Sequence, residues 1–263
     1  MLEFLSEITV NGIELWVVLL CCCGVFLAAF IDAIGGGGGI ISVPTYLMAF
    51  SGHPTYFVLG TNKVSSSIST FFSTARFVRG GYVDWKLCVP GIVLAVTGST
   101  CGVWLQHHTP DIILKYTLVV VLPIVAFITL RGREWPDEPG EISRKKQLFI
   151  VCAAALVIGV YDGMIGPGTG TFLILAYSWF LGMDLVTGSG CAKLCNLASN
   201  VAALIVYLIG GKVVFAIGIP AAICAILGNF VGSKLAIKGG AKYIRIVMIL
   251  VFVLLFVKFL IPS

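Results

Sequence analysis

The chain has 263 residues, a mean hydropathy of +1.05 and only 11% charged residues. A soluble domain of this size does not need so much apolar surface, so the composition excludes one and indicates a polytopic membrane protein. The net charge of +5 does not indicate nucleic-acid binding, because the basic residues fall mainly in short loops between apolar runs.

The N-terminus carries Glu3, Glu7 and Glu14 and no Lys or Arg before the first apolar run. A secretory signal needs a basic start, so that run is expected to be a retained span. Apolar segments then follow at about 14–34, 40–51, 61–79, 87–106 and 112–130, and again at about 148–165, 170–181, 190–209, 213–236 and 244–261. None alternates with the period of two that a β-barrel requires. The expected fold is therefore all-α.

The first run leads into FIDAIGGGGGIISVP, Phe30 to Pro44, where five glycines follow Asp32. So many glycines undo a helix, and non-helical backbone at membrane depth must be buried in protein or line a wet cavity. The short segment after them spans about 18 Å against a hydrocarbon core of about 30 Å, so it either completes a crossing with the glycine run or re-enters. The pattern lacks the flanking strand, the ribose-binding acid and the terminal Lys-Ser/Thr of nucleotide-binding loops.

The third segment is unusually polar, with Asn62, Lys63, Ser66, Ser67, Ser69, Thr70, Ser73 and Thr74. The fourth carries Gly98 and Gly102, a small-xxx-small pair suited to helix packing. The polar stretch 131–147 then separates a first repeat, 1–130, from a second, 148–263.

The repeat is visible in the residues. At a fixed offset of 130, Asp32 falls on Asp162, Gly36 on Gly166, Gly38 on Gly168, Lys63 on Lys193, Ser69 on Ser199, Pro90 on Pro220, Gly98 on Gly228 and Gly102 on Gly232. Chance aligns glycines in such a chain, but rarely an aspartate, a lysine and a proline as well. Equivalent loops carry opposite charge bias. Arg76, Arg79 and Lys86 face only Lys212, whereas Lys234, Lys238, Lys242 and Arg245 face His107, His108, Asp111 and Lys115. That pattern predicts inverted repeats of five crossings each, the central loop cytoplasmic and both termini outside.

In the second repeat Asn196, Ser199 and Asn200 share one helix face, with Lys193 a turn before them. Such a face lines an interior path or bonds to another helix. Intramembrane charges are costly, which favours function for the two lysines. Asp32 and Asp162 are candidates for proton coupling or for structural pairing with those lysines. Two short helices starting beside glycine turns, brought together by an inverted repeat, suit a small anion. The nine cysteines lie in apolar stretches and read as small apolar fillers without disulfides. Cys191 and Cys195 flank Lys193 but have no nearby His or acid to make a metal site.

GGGGGIISVPTYL, followed by LGTNKVSSSISTFFSTARFVRGGYVDWK, resembles the sulfite exporter TauE/SafE family, as do GPGTG and CAK in the second half. Thr45 stands where that family often has Leu after Pro44, and Asn62 where Ser is usual. The resemblance covers about residues 14–261. It implies a secondary transporter of sulfite, thiosulfate or an organosulfonate such as sulfoacetate. Its motifs carry over Gly36, Gly38, Thr61, Asn62, Lys63, Gly166, Gly168 and Lys193 as substrate-binding candidates. Asn196, Ser199 and Asn200 join them from the helix-face argument. The expected partners are a small anion and membrane lipid, with no nucleic acid, and a homodimer is compatible with the reading. No cofactor or enzymatic motif is expected, and the expected location is the inner (plasma) membrane. An anion channel, or a carrier of another carboxylate or inorganic anion, is the alternative.

Overall fold

The computed structural model describes residues 9–10, 13–50, 54–110, 112–113 and 142–260. The segment 112–130 beyond Ile113, most of the loop 131–147, and Gly52, His53, Asp111 and Lys115 lie outside the described residues. Eight helices are described: α1 (Leu15–Gly35), α2 (Gly39–Ala49), α3 (Thr55–Arg79), α4 (Trp85–His108), α5 (Arg144–Met164), α6 (Thr169–Leu181), α7 (Leu185–Ile209) and α8 (Phe215–Leu260). The expected all-α class holds among the described residues, beyond a two-residue pairing of Thr9–Val10 with Ile13–Glu14.

Two boundaries differ from expectation. The segments predicted at 213–236 and 244–261 are one continuous helix of 46 residues. Gly239 and Gly240 lower helix propensity but leave the backbone bonds intact, and no proline stands there to stop them. The glycine run is helical at both ends. Gly35 ends α1 and Gly39 opens α2, so the break is only Gly36–Gly38, with Gly36 in the left-handed region at φ 77°.

α1, α4, α5, α7 and the first 25 residues of α8 are long and apolar enough to cross a membrane. Their polarity is turned inward. Leu27, Phe71, Val93, Trp104, Phe149, Val157, Ile223 and Leu227 are exposed, while Lys63, Asp162, Lys193, Asn196, Asn200 and Asn229 are buried. Lipid rewards this arrangement and water does not. α3 is too polar to count as a span by composition, yet several of its hydroxyls return to their own backbone. Ser65 donates to Asn62 O, Ser69 to Ser66 O and Ser73 to Thr70 O. They thereby need no outside partner.

The four packing glycines behave as predicted. A Cβ on Gly98 or Gly102 of α4 would overlap the carbonyl oxygen of Leu156 or Val160 on α5. A Cβ on Gly228 or Gly232 of α8 would overlap that of Phe26 or Phe30 on α1. Each pair is the other displaced by the 130-residue offset. Between the halves, α3 and α7 run antiparallel, as Lys63 meets Asn200, Thr74 meets the Lys193 carbonyl, and Phe77 lies beside Gly190.

Arg144 at the start of α5 forks onto Asp84 at 2.7 and 2.9 Å. This ties the α3–α4 turn to the beginning of α5. Arg76, Arg79, Lys86, Lys145 and Lys146 lie near that end by their positions on these helices, and Glu14, His107, His108 and Lys212 lie near the other.

Candidate functional site

The two helix breaks meet. Thr171 N donates to Gly36 O at 3.2 Å, and Thr171 Oγ1 donates to Gly35 O at 2.7 Å. Gly36 lies so close to Gly170 that a Cβ on it would run into backbone atoms, so glycine here is required by both its φ and its neighbour. Gly39 sits against Pro167 in the same way. In the second break, Gly166 and Gly168 take φ of 90° and 86°. The starts of α2 and α6, with the positive ends of their dipoles, thus lie side by side in the protein interior.

Beside them is a cavity of about 40 Å³. One water needs roughly 10–15 Å³ of such space, so the cavity suits a few waters or one compact ion. Ten predicted site residues line it: Asp32, Gly36, Gly38, Asn62, Lys63, Asp162, Gly166, Gly168, Asn196 and Asn200.

Three others lie outside the lining. Thr61 Oγ1 accepts from Val214 N at 3.0 Å and so holds the chain entering α8. Ser199 donates to Asp162 Oδ2 at 2.8 Å. Lys193 donates to the backbone oxygen of Asp32 at 2.8 Å from behind the cavity wall. Residues that sequence reasoning did not place in the site also line it, notably Ser42, Ser66, Thr70 and Thr169. Ser66 and Thr70 were visible in the polar third segment. Ser42 and Thr169 carried no signal beyond their closeness to the glycine turns.

The bonding in the cavity is uneven. Lys63 Nζ lies 2.8 Å from Asp162 Oδ2 and 2.8 Å from Asn200 Oδ1. An ammonium has three donors, so one N–H remains for a ligand. Asp162 also accepts from Thr169 Oγ1 at 2.9 Å and from Ser199. Asn200 donates in turn to Asn196 O and Oδ1. On Asn62, only 6% exposed, the buried carboxamide Oδ1 accepts no hydrogen bond among the described residues. Among the described residues, the Asp32 carboxylate accepts only from Gly38 N, at 3.3 Å.

Helices with apolar outer faces, polar groups converging on a buried cavity and two broken helices at its wall define a polytopic membrane transporter. The chain belongs to the sulfite exporter TauE/SafE family, whose model matches residues 21–259. It is similar to the probable membrane transporter protein ORF9 of Sinorhizobium sp, at 32% identity over 89% of each chain. It is also similar to a probable membrane transporter protein of Haemophilus influenzae, at 32% over 89% of this chain and 90% of that one. The probable membrane transporter protein YfcA of Escherichia coli is 31% identical over 90% of this chain and 87% of its own. No solved structure matches.

Proposed function

We propose that this protein is a secondary carrier of a small sulfur-containing anion, such as sulfite, thiosulfate or an organosulfonate like sulfoacetate, working by alternating access in the inner membrane. One observation carries the reading: two adjoining helix starts wall a compact cavity that the Lys63 ammonium also lines. Helix starts and amide N–H groups attract anions, and Lys63 adds a charged donor. The cavity's size favours a compact anion over a long organic one.

The same reading takes the halves as inverted repeats. The antiparallel α3 and α7 and the exchange-related glycine contacts support it. Inverted repeats with discontinuous helices at the midplane suit a carrier more than a channel. The end rich in Arg and Lys would face the cytoplasm.

The test is thermal stabilisation of purified protein by sulfite, thiosulfate, sulfoacetate, taurine, chloride and phosphate, repeated with Asn62→Ala and Lys63→Ala. Stabilisation by a sulfur anion that both variants abolish is expected. Equal stabilisation of parent and variants would move the site elsewhere. A conductance in liposomes that does not saturate with anion concentration would replace the carrier by a channel.

A further inference from the structure

We propose that Asp32 is the proton-binding group of this carrier, taking up one proton for each anion bound, and that its repeat partner Asp162 keeps its charge throughout. The inference rests on the anion-carrier reading above.

The two aspartates occupy equivalent positions but differ in partners. Asp162 accepts from Lys63, Ser199 and Thr169, three bonds to a group with about four acceptor sites, and its negative charge is directly compensated by Lys63. Among the described residues, no cation lies within ion-pair distance of the Asp32 carboxylate. Its equivalent lysine, Lys193, bonds instead to the Asp32 backbone oxygen, and a single Gly38 N–H reaches the carboxylate. Asp32 also lines the cavity, whereas Lys193 does not.

Charge counting gives the consequence. Lys63, Lys193, Asp32 and Asp162 sum to zero, and the Lys63–Asp162 pair cancels in contact. An anion entering beside an ionised Asp32 meets a like charge in a site poor in screening water. Once Asp32 is protonated, Lys193 is left uncompensated, the net charge becomes +1, and the carboxyl can donate a hydrogen bond to the anion. The charged groups acting on Asp32 are Lys193 of α7, Asp162 of α5 and Lys63 of α3. The α2 and α6 starts bring backbone and hydroxyl groups, and Lys234 and Lys238 on α8 are exposed. The proton is taken from the side to which the cavity opens, resides on a carboxylate oxygen, and leaves with the anion on the other side. No other bond changes.

Two measurements on the full chain in lipid test this. In infrared difference spectra across a pH titration, a protonated-carboxyl band should appear, vanish in Asp32→Asn and persist in Asp162→Asn. A band that survives Asp32→Asn, or that is absent from the parent, overturns the assignment whatever the anion. With thiosulfate as probe, a group that does not titrate in this range, apparent affinity should fall about tenfold per pH unit above the carboxyl's titration. Asp32→Asn should then bind more tightly at alkaline pH and lose the pH dependence. Binding by the parent that ignores pH would overturn the coupling. A titrating band with no binding of any tested anion would sink the carrier reading and the coupling with it.

Discussion

Lys63 and Asp162, 99 residues apart in the chain, form a buried ion pair at 2.8 Å that joins α3 of one half to α5 of the other. Removing one partner leaves an uncompensated buried charge, which typically costs about 3–5 kcal/mol. Asp162→Ala and Lys63→Ala should therefore both lower thermal stability strongly. Their double variant should be less destabilised than the sum, since no charge is orphaned. Lys193→Ala removes a bond to a backbone carbonyl and a cation that is near Asp32 but not in contact with its carboxylate, and Asp32 can take up a proton in response, so it should cost less, about 1–3 kcal/mol. Melting curves in detergent give the ranking, and equal losses for both lysines would contradict it.

Glycine substitutions separate backbone strain from packing. Gly36 and Gly81 share φ of 77°, but a Cβ on Gly81 meets nothing within 4 Å. Gly81→Ala should cost only the left-handed penalty, about 1–2 kcal/mol. Gly36→Ala adds a collision with the Gly170 backbone and should prevent the two helix breaks from closing on each other. Expression and monodispersity of the two variants distinguish them.

Adjacent residues Thr61 and Asn62 should behave differently. Thr61→Val leaves the Val214 N–H unpaired and should cost about 1–3 kcal/mol of stability, with the anion preference intact. Asn62→Ala should leave stability nearly unchanged, because its buried Oδ1 has no partner among the described residues, and should weaken anion binding through loss of the Nδ2 donor at the cavity. Paired melting and ligand-stabilisation curves decide between these roles.

Asp84 supplies a pH-dependent contribution. Its hydrogen bonds from Arg144 hold the carboxyl below the usual carboxylate range, and it also caps α4 by accepting from Lys86 N and Leu87 N. A carboxyl lowered on folding stabilises the protein above its unfolded value, near about 4, and this is lost as pH falls through the lower folded value. Asp84→Asn retains a cap but not the charge. The parent should exceed it by at most about 1 kcal/mol at neutral pH, because the pair is partly exposed. The gap should close in acid, and a gap that widens there would reverse the sign.

Sidedness can be read with an impermeant maleimide on cells, using single cysteines in a background with the native cysteines replaced. Lys145→Cys should be protected in intact cells and labelled after permeabilisation. Lys212→Cys should be labelled in intact cells. Labelling of both from one side would defeat the inverted-repeat reading.

The residues visible in advance were those whose chemistry conflicts with their surroundings. Asp32, Lys63, Asp162 and Lys193 are costly in apolar segments, and the glycines of GGGGG and GPGTG are incompatible with uninterrupted helices, so all of them marked the interior. Ser42 and Thr169 were not visible, because one hydroxyl in an apolar run can satisfy itself on its own backbone. Thr61 looked identical to its neighbour Asn62, and one residue along a helix turns a side chain by about 100°, enough to move it from cavity to loop contact.

Apolar length and composition by themselves determined an all-helical membrane protein with a duplicated pattern, because lipid accepts only backbones that bond internally. Only the tertiary structure decided which acid meets which lysine. The sequence offers Asp32 and Asp162 as equals at the same offset as Lys63 and Lys193. Packing across the two halves places Lys63 on the Asp162 carboxylate but Lys193 on the Asp32 backbone oxygen. Such pairing depends on helix register and rotamer at ångström scale, which a repeat pattern in one dimension does not specify.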